Sequence, residues 1–150
     1  MYEADTRFSV ILTPEKPGMA DHARALAHSA FRQTLVAWDL PHRPLIARQG
    51  SFLTPEYLLK AERLTEIEDI ADLARRFGID SFLLLDPERP DAVPMRRHDR
   101  HAYRVRVLET AAGGLFAPHI GVFALVDEYK ARDVGEFWFN PANRSFFVLT

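Results

Sequence analysis

Two histidines and an aspartate lie close together in the segment His98-Asp99-Arg100-His101. Imidazole and carboxylate groups bind zinc, and the same groups can transfer protons in acid–base catalysis. Residues 96–101 also contain three arginines, whose positive charges repel a metal cation. Zinc binding further needs neutral imidazoles and neighbouring hydrogen-bond partners that orient them. The sequence therefore predicts a solvated turn here and no metal site.

Five arginines and one tyrosine lie between residues 96 and 106, against a single aspartate. Arginine pairs bidentately with phosphate, and a tyrosine ring can stack on a base, so this segment is the best nucleic-acid candidate in the chain. Alternatively, Arg104 and Arg106 form the solvent face of an alternating strand. The formal net charge of −2 gives no overall attraction to a polyanion. The candidate nucleic-acid-binding residues are Arg96, Arg97, Arg100, Tyr103, Arg104 and Arg106.

Five large aromatic rings crowd the segment from residue 137 to residue 147. A strand that alternates between two faces buries only about half of its side chains on one face. The rings form two sets by alternation: Phe137, Phe139 and Phe147, and Trp138 and Phe146. Some rings of one set must therefore be covered by something other than the core on that face of the sheet. Either the sheet is covered on both sides, or the rings form an exposed surface for a partner protein or for self-association. All five rings are the candidate partner-binding residues.

Several chemistries are missing from the sequence. The chain has no cysteine, which excludes disulfides, thiolate metal sites and a cysteine nucleophile. It also lacks the nucleophile elbow, the glycine-rich dinucleotide motif, the phosphate-binding loop and the His-Glu-x-x-His zinc motif. We therefore predict no catalytic residue and no cofactor. Because enzymes without a known motif exist, an enzyme with an unrecognised site stays an alternative.

The beginning of the chain is acidic, and no segment approaches the roughly 18 consecutive apolar residues of a transmembrane helix. A secretory signal needs a basic start followed by an apolar stretch. The sequence therefore predicts a cytoplasmic protein that does not enter a membrane. A chain of 150 residues without a linker or repeat also favours a single domain over residues 1–150.

The sequence predicts two main helices, at about residues 19–38 and 65–77, which would position the candidate residues described above. In the first helix, apolar residues recur with the spacing of a helix that buries one broad stripe. The second begins at a capping box, in which Thr65 and Glu68 satisfy each other's backbone amides, and ends at Gly78. Residues 124–132 are a candidate third helix.

Short apolar or alternating runs predict the strands, and Asn140-Pro141-Ala142-Asn143 predicts the turn of a final hairpin. The predicted strands are Arg7–Leu12, Leu45–Arg48, Glu56–Lys60, Ser81–Leu85, Tyr103–Val107, Glu136–Phe139 and Ser145–Leu149. Together these elements predict an α+β fold in two layers, with a mixed, largely antiparallel sheet packed by the two main helices.

Three segments carry a family resemblance: Gly50-Ser51-Phe52, Glu56-Tyr57-Leu58-Leu59, and the run from Leu73 to Leu84. They resemble small uncharacterised proteins of bacteriophages, prophages and bacteria that share a domain of unknown function. The run from Tyr129 to Phe139 is similar to the tail of such proteins, and the likeness covers roughly residues 20–139. The resemblance implies a small α+β domain, a mobile-element origin and no established activity or catalytic residue.

These observations favour a small, non-enzymatic accessory protein that binds and modulates or inhibits a partner protein. The binding surface would be the C-terminal aromatic hairpin together with the neighbouring arginine strand. The alternatives are a nucleic-acid-binding module on the basic strand and an enzyme with an unrecognised site. A further alternative is that the aromatic hairpin binds a second copy of the chain and forms a homo-oligomer.

Overall fold

A computed structural model describes residues 6–88, 102–111 and 117–150 of the chain. Eight strands and three helices follow one another along these residues. Their bounds are β1 Phe8–Leu12, α1 Asp21–Ala37, β2 His42–Gln49, β3 Phe52–Ala61, α2 Leu64–Arg76, β4 Ser81–Leu85, β5 Ala102–Glu109, β6 Gly121–Val126, α3 Glu128–Val134, β7 Glu136–Asn140 and β8 Ser145–Leu149.

The eight strands form one closed antiparallel barrel in the order β1-β3-β2-β7-β8-β6-β5-β4. The first four strands and the first two helices have the βαββαβ connectivity of a ferredoxin-like unit. Such a sheet leaves two edges, here β2 and β4. Strand β7 pairs with β2, strand β5 pairs with β4, and the remaining strands join these two. The second part of the chain thus closes the sheet and removes both edges.

Two apolar layers lie on opposite faces of the barrel wall. One cluster takes at least one side chain from every strand, among them Ile11, Leu45, Leu58, Leu83, Val105, Phe123, Trp138 and Phe147. Only the barrel interior can be reached from all eight strands, so this cluster is the interior. Because successive side chains of a strand point to opposite faces, the intervening residues face outward.

Helices α1 and α2 cover the outer face of β1, β3 and β4. Phe31 and Leu35 of α1 and Ile67 and Ile70 of α2 are completely buried in this outer cluster, together with strand residues such as Leu84. Strand β4 is therefore apolar on both faces, with Phe82 and Leu84 in the outer cluster and Leu83 and Leu85 in the interior. This explains why β4, Ser-Phe-Leu-Leu-Leu, reads as a continuous apolar run.

The prediction of a two-layer α+β fold, with a mixed, largely antiparallel sheet packed by two main helices, is wrong. The helices predicted at 19–38 and 65–77 exist as α1 and α2, but the sheet that they cover closes on itself. The pairings that close it join strands far apart in the chain, such as β2 with β7. No local pattern specifies such long-range pairing, because hydrophobic alternation shows which side chains are buried and not which strands are neighbours.

Two local sequence signals are confirmed: the glycine that ends α2 and the final hairpin. Gly78 has a positive φ of 66° just after α2, as predicted for a helix stop. The hairpin of β7 and β8 is also confirmed.

The capping box is wrong, since α2 begins at Leu64 after the N-cap residue Arg63, without a side-chain capping bond. Residues 124–126 belong to β6, and α3 begins only at Glu128.

Among the described residues, no helix is long and apolar enough to cross a membrane. The barrel takes strands from both ends of the described chain, between Phe8 and Leu149. A single domain over residues 1–150 stays a prediction.

Candidate functional site

The five aromatic residues of the final hairpin divide between the two faces of the barrel wall. Trp138 and Phe147 are directly paired and lie in the interior cluster. Phe137, Phe139 and Phe146 lie on the outer face, in a cluster with residues of α3, β6 and β8. The expected grouping of Phe147 with Phe137 and Phe139 is therefore wrong, because the register pairs Phe147 with Trp138.

The two inward rings fill the barrel. Phe147 stacks on Phe123 of β6, with ring centroids 4.9 Å apart and planes inclined by 10°. Trp138 meets the same Phe123 ring edge-on at 5.2 Å. The Trp138 indole Nε1 donates a hydrogen bond of 3.0 Å to Glu56 Oε1. The side chains of Trp138 and Phe147 therefore belong to the packed interior of the barrel.

Burial raises the pKa of Glu56 from its ordinary value of 4.5. The hydrogen bond from Trp138 acts in the opposite direction, and the nearby carboxylate of Glu15 raises the pKa further. Desolvation is the largest of these effects, since a carboxylate loses water when it is enclosed by apolar side chains. Glu56 is therefore an ionisable group that the fold holds towards its neutral form.

The three outward rings lie beside α3. Phe146 lies 4.9 Å from Phe139 and 5.6 Å from Phe137, measured between ring centroids. Helix α3 contributes Ala131, which is completely buried against them. The helix is fixed at its first turn by Asp127, whose Oδ1 accepts a 2.8 Å hydrogen bond from the backbone N of Lys130. This bond is an N-terminal cap that aligns the helix over the rings.

A groove with a volume of about 230 Å³ opens above these rings. We call it the aromatic groove: its floor is Phe137, Phe139 and Phe146, and its rim carries Arg48, Arg132 and Arg144. Phe137 is only 6% exposed, whereas Phe139 and Phe146 are half-buried. The groove therefore combines apolar contact area with three permanent positive charges.

Two of the three arginines are held against the floor. The guanidinium carbons of Arg48 and Arg132 lie 5.8 and 6.0 Å from the centroid of the Phe137 ring, which is cation–π distance. Arg48 Nε also donates to the Gly50 carbonyl oxygen at 3.0 Å. Arg132 Nε lies 2.7 Å from Glu128 Oε2. Among the described residues of the groove lining, Glu128 is the single acidic one, so this lining carries a surplus of positive charge.

An apolar edge extends the groove at the hairpin between β2 and β3. Leu53 lines the groove and is 61% exposed. Leu53 pairs with Arg48, which in turn pairs with Phe137, so the three side chains form a cross-strand row. This row can accept apolar side chains of a ligand while Arg48 attracts its negative charge.

The described part of the predicted nucleic-acid site is divided between the two faces of β5. Tyr103 packs in the barrel interior, where the Lys60 ammonium lies 5.9 Å from its ring centroid. Arg104 and Arg106 face outward, as their alternation predicts. Arg96, Arg97 and Arg100 lie outside the described residues, as does the predicted turn with His98, Asp99 and His101. Tyr103 therefore does not share a surface with Arg104 and Arg106, the described arginines of the predicted site.

Arg104 and Arg106 meet a buried carboxylate that the sequence analysis missed. Asp86 follows β4 directly, and its backbone N bonds to the Arg104 carbonyl oxygen at 2.9 Å. Its Oδ1 lies 3.1 Å from Arg106 Nη1, and its Oδ2 lies 3.7 Å from Arg104 Nη2 and 2.7 Å from His119 Nε2. We call these four residues the Asp86 cluster. The only signal in the sequence is an aspartate at the end of a buried strand.

A second polar network links α1 to β3. His28 Nε2 lies 2.6 Å from Glu15 Oε2, and His28 Nδ1 lies 2.8 Å from the Tyr57 hydroxyl, to which Arg32 Nη1 also donates at 3.2 Å. Carboxylate, imidazole and hydroxyl follow one another as in a catalytic triad. However, Tyr57 is only 5% exposed, and burial raises its pKa, with Arg32 acting in the opposite direction. The phenol stays protonated and enclosed, so we interpret the network as structural.

Within residues 6–88, 102–111 and 117–150, no three histidine, aspartate or glutamate side chains are placed to hold a metal ion. No protein-family model matches the chain, and a search of curated proteins finds no significant match. The resemblance to phage and prophage proteins therefore stays a prediction, and the candidate sites depend on their own geometry.

Proposed function

We propose that this protein is a small accessory protein that binds a partner protein, and that the aromatic groove is its binding site. The bound part of the partner would be a segment in which acidic and large apolar side chains lie close together. The observation that carries the proposal is the combination of the Phe137, Phe139 and Phe146 floor with three arginines on the rim. Modulation or inhibition of the partner is the role that we propose for such binding.

The charge of the groove favours an acidic ligand. In the described lining, three arginines, Arg48, Arg132 and Arg144, stand against one acidic residue, Glu128. The pairing of Arg132 with Glu128 neutralises one of these charges, which leaves Arg48 and Arg144 to attract carboxylates. Arginine suits this role because its planar guanidinium binds a carboxylate with two parallel hydrogen bonds.

The size of the groove favours one or two anchoring side chains over a whole small molecule. Pockets for drug-sized ligands enclose roughly 300–1,000 Å³, and the aromatic groove encloses about 230 Å³. Protein interfaces concentrate their binding energy in such small pockets, filled by aromatic or aliphatic anchors and surrounded by polar contacts. Exposed Leu53 adds apolar contact area at the edge of the groove.

A peptide titration tests the proposal. The probe is a fluorescent peptide that alternates glutamate with phenylalanine or leucine, and the control peptide has lysine in place of glutamate. We expect the acidic peptide to bind and the lysine peptide to bind at least about tenfold more weakly, because the rim repels it. Fluorescence anisotropy measures both dissociation constants.

Two pairs of variants locate the binding. Leu53→Ser and Arg144→Gln change exposed residues of the groove, whereas Leu26→Ser and Arg63→Gln change equally exposed residues elsewhere. We expect each groove variant to weaken binding by about 5- to 30-fold, as for contact residues of an interface, and each control to bind like the native chain. Equal binding of both peptides, or equal effects of both pairs, would overturn the proposal.

The variants Trp138→Ala and Phe147→Ala are unsuitable for this test. Both side chains fill the barrel interior, so their loss removes core packing rather than a binding surface. The proposed binding residues of the hairpin are therefore Phe137, Phe139 and Phe146.

A further inference from the structure

The Asp86 cluster brings two guanidinium groups and an imidazole to one place on the outer face of the barrel. Arg104 and Arg106 are two residues apart on β5 and share a face, and Asp86 and His119 flank them from β4 and from the segment before β6. The Asp86 side chain is 10% exposed, whereas those of Arg106, His119 and Arg104 are 23%, 26% and 48% exposed. The carboxylate thus lies beneath cationic groups that solvent can reach.

The carboxylate does not use the hydrogen-bonding capacity of the arginines. Arginine and carboxylate commonly form two parallel hydrogen bonds, but Arg104 Nη2 is 3.7 Å from Oδ2, beyond hydrogen-bond distance. Within the described part of the chain, Oδ1 accepts no hydrogen bond, although Arg106 Nη1 lies 3.1 Å away. Each guanidinium has five N–H donors. Among the described residues, Asp86 therefore contacts both guanidinium groups by charge and does not take up all of their donors.

The charges of the cluster favour an anion. The two arginines are always protonated, so they exceed Asp86 by one positive charge even when His119 is neutral. His119 Nε2 donates to Asp86 Oδ2 at 2.7 Å, which turns the other ring nitrogen away from the carboxylate. That nitrogen is a third group that can bond to a ligand oxygen when the imidazole is protonated.

From this geometry we propose that the Asp86 cluster binds a phosphate group, either as free phosphate or as a phosphate monoester of a larger molecule. A phosphate monoester has three terminal oxygens and close to two negative charges, which matches two guanidinium forks and an imidazole. A single compact cluster suits one such group. Nucleic acid requires cations along a track, and the described face of β5 offers only Arg104 and Arg106 in this cluster.

The site is independent of the aromatic groove. The groove is lined from β2, β3, α3, β7 and β8, whereas the cluster lies on β4 and β5. In the strand order, β6 separates β8 from β5, and β1 separates β3 from β4. Failure of one proposal therefore leaves the other intact, since the probes and the variants differ.

Calorimetric titration of the full chain with sodium phosphate tests the proposal. Arg104→Gln removes a half-exposed donor, and we expect it to weaken binding by about tenfold. Asp86→Asn removes the negative charge of the cluster, and we expect it to bind phosphate more tightly than the native chain. Arg63→Gln, at an exposed position at the start of α2, is the matched control and should change nothing. Circular dichroism confirms that each variant is folded.

The opposite responses of Arg104→Gln and Asp86→Asn distinguish an anion site from a structural ion pair. A structural pair predicts lower stability for both variants and no phosphate binding in either. O-phosphoserine and a short single-stranded oligonucleotide then distinguish the sources of the phosphate. We expect phosphoserine to bind at least as tightly as free phosphate. Absence of phosphate binding, equal affinity of native and Arg104→Gln chains, or tighter binding of the oligonucleotide than of either would overturn the proposal.

Discussion

Trp138 Nε1 donates a hydrogen bond to Glu56 Oε1 across 3.0 Å inside the barrel, between strands that are not neighbours. Strand β2 separates β3, which carries Glu56, from β7, which carries Trp138. The bond therefore ties the ferredoxin-like part of the barrel to the part that closes it. It also places an ionisable group within an apolar interior, with consequences for stability.

The first prediction concerns the pH dependence that Glu56 imposes. Its pKa is raised in the folded state, so the fold favours the protonated form and stability is greatest below the unfolded pKa of 4.5. Stability is lost as the pH rises through the folded pKa. Glu56→Gln keeps an acceptor for Trp138 and removes this loss. Urea unfolding between about pH 4 and pH 8 should show a smaller decrease for the variant, and a larger decrease would contradict the assignment.

The second prediction concerns the ring that organises the interior. Phe123 is 2% exposed and contacts both Phe147 and Trp138. Phe123→Ala should lower the free energy of unfolding by about 3–5 kcal/mol, because it leaves a cavity among aromatic rings. The same change at Phe52, which is 77% exposed, should cost less than about 0.5 kcal/mol. Chemical denaturation measures both, and similar losses would argue against a packed interior at Phe123.

The third prediction concerns the buried network of α1 and β3. Removal of the Tyr57 hydroxyl takes away the shared partner of His28 and Arg32. Tyr57→Phe should cost about 1–3 kcal/mol, since a buried histidine nitrogen loses its hydrogen bond. Peptide and phosphate binding should stay unchanged, because both sites lie elsewhere. A loss of either affinity in a folded variant would show that the network has more than a structural role.

The fourth prediction concerns the cap of α3. Asp127→Ala removes the bond to the Lys130 amide and should cost about 1 kcal/mol. Since α3 carries Arg132, the variant should also weaken binding of the acidic peptide. Asp133→Ala, an exposed change on the same helix, is the control. Equal effects of the two variants on thermal unfolding would contradict the role of Asp127.

The sequence indicated most of the elements and almost nothing of their arrangement. Stripes and alternation locate α1, α2 and the final hairpin because burial of a face repeats with the period of the element. Barrel closure depends on pairings such as that of β2 with β7, which are about 90 residues apart and follow from the whole chain. Strand β4 is covered on both faces. It therefore lacks the apolar–polar alternation that indicates a strand with one face in solvent.

The candidate sites show the same limit. The surplus of rings in the hairpin correctly indicated that one face cannot hold them all, but the pairing of Trp138 with Phe147 decides which rings turn inward. A shift of one residue in that register would turn Phe146 inward and Phe147 outward. Asp86 and His119 are 33 residues apart in sequence and meet through two pairings, of β4 with β5 and of β5 with β6. No spacing rule could have joined them.

Mapping of peptide binding by backbone amide NMR tests the central claim most directly. The acidic peptide is titrated into the isotope-labelled chain, and the shifts of each amide signal are followed. The account predicts that the largest shifts fall on β7, β8 and α3, around Phe137, Phe146 and Arg132. Shifts confined to the Asp86 cluster, or none at peptide concentrations that saturate a micromolar site, would contradict it.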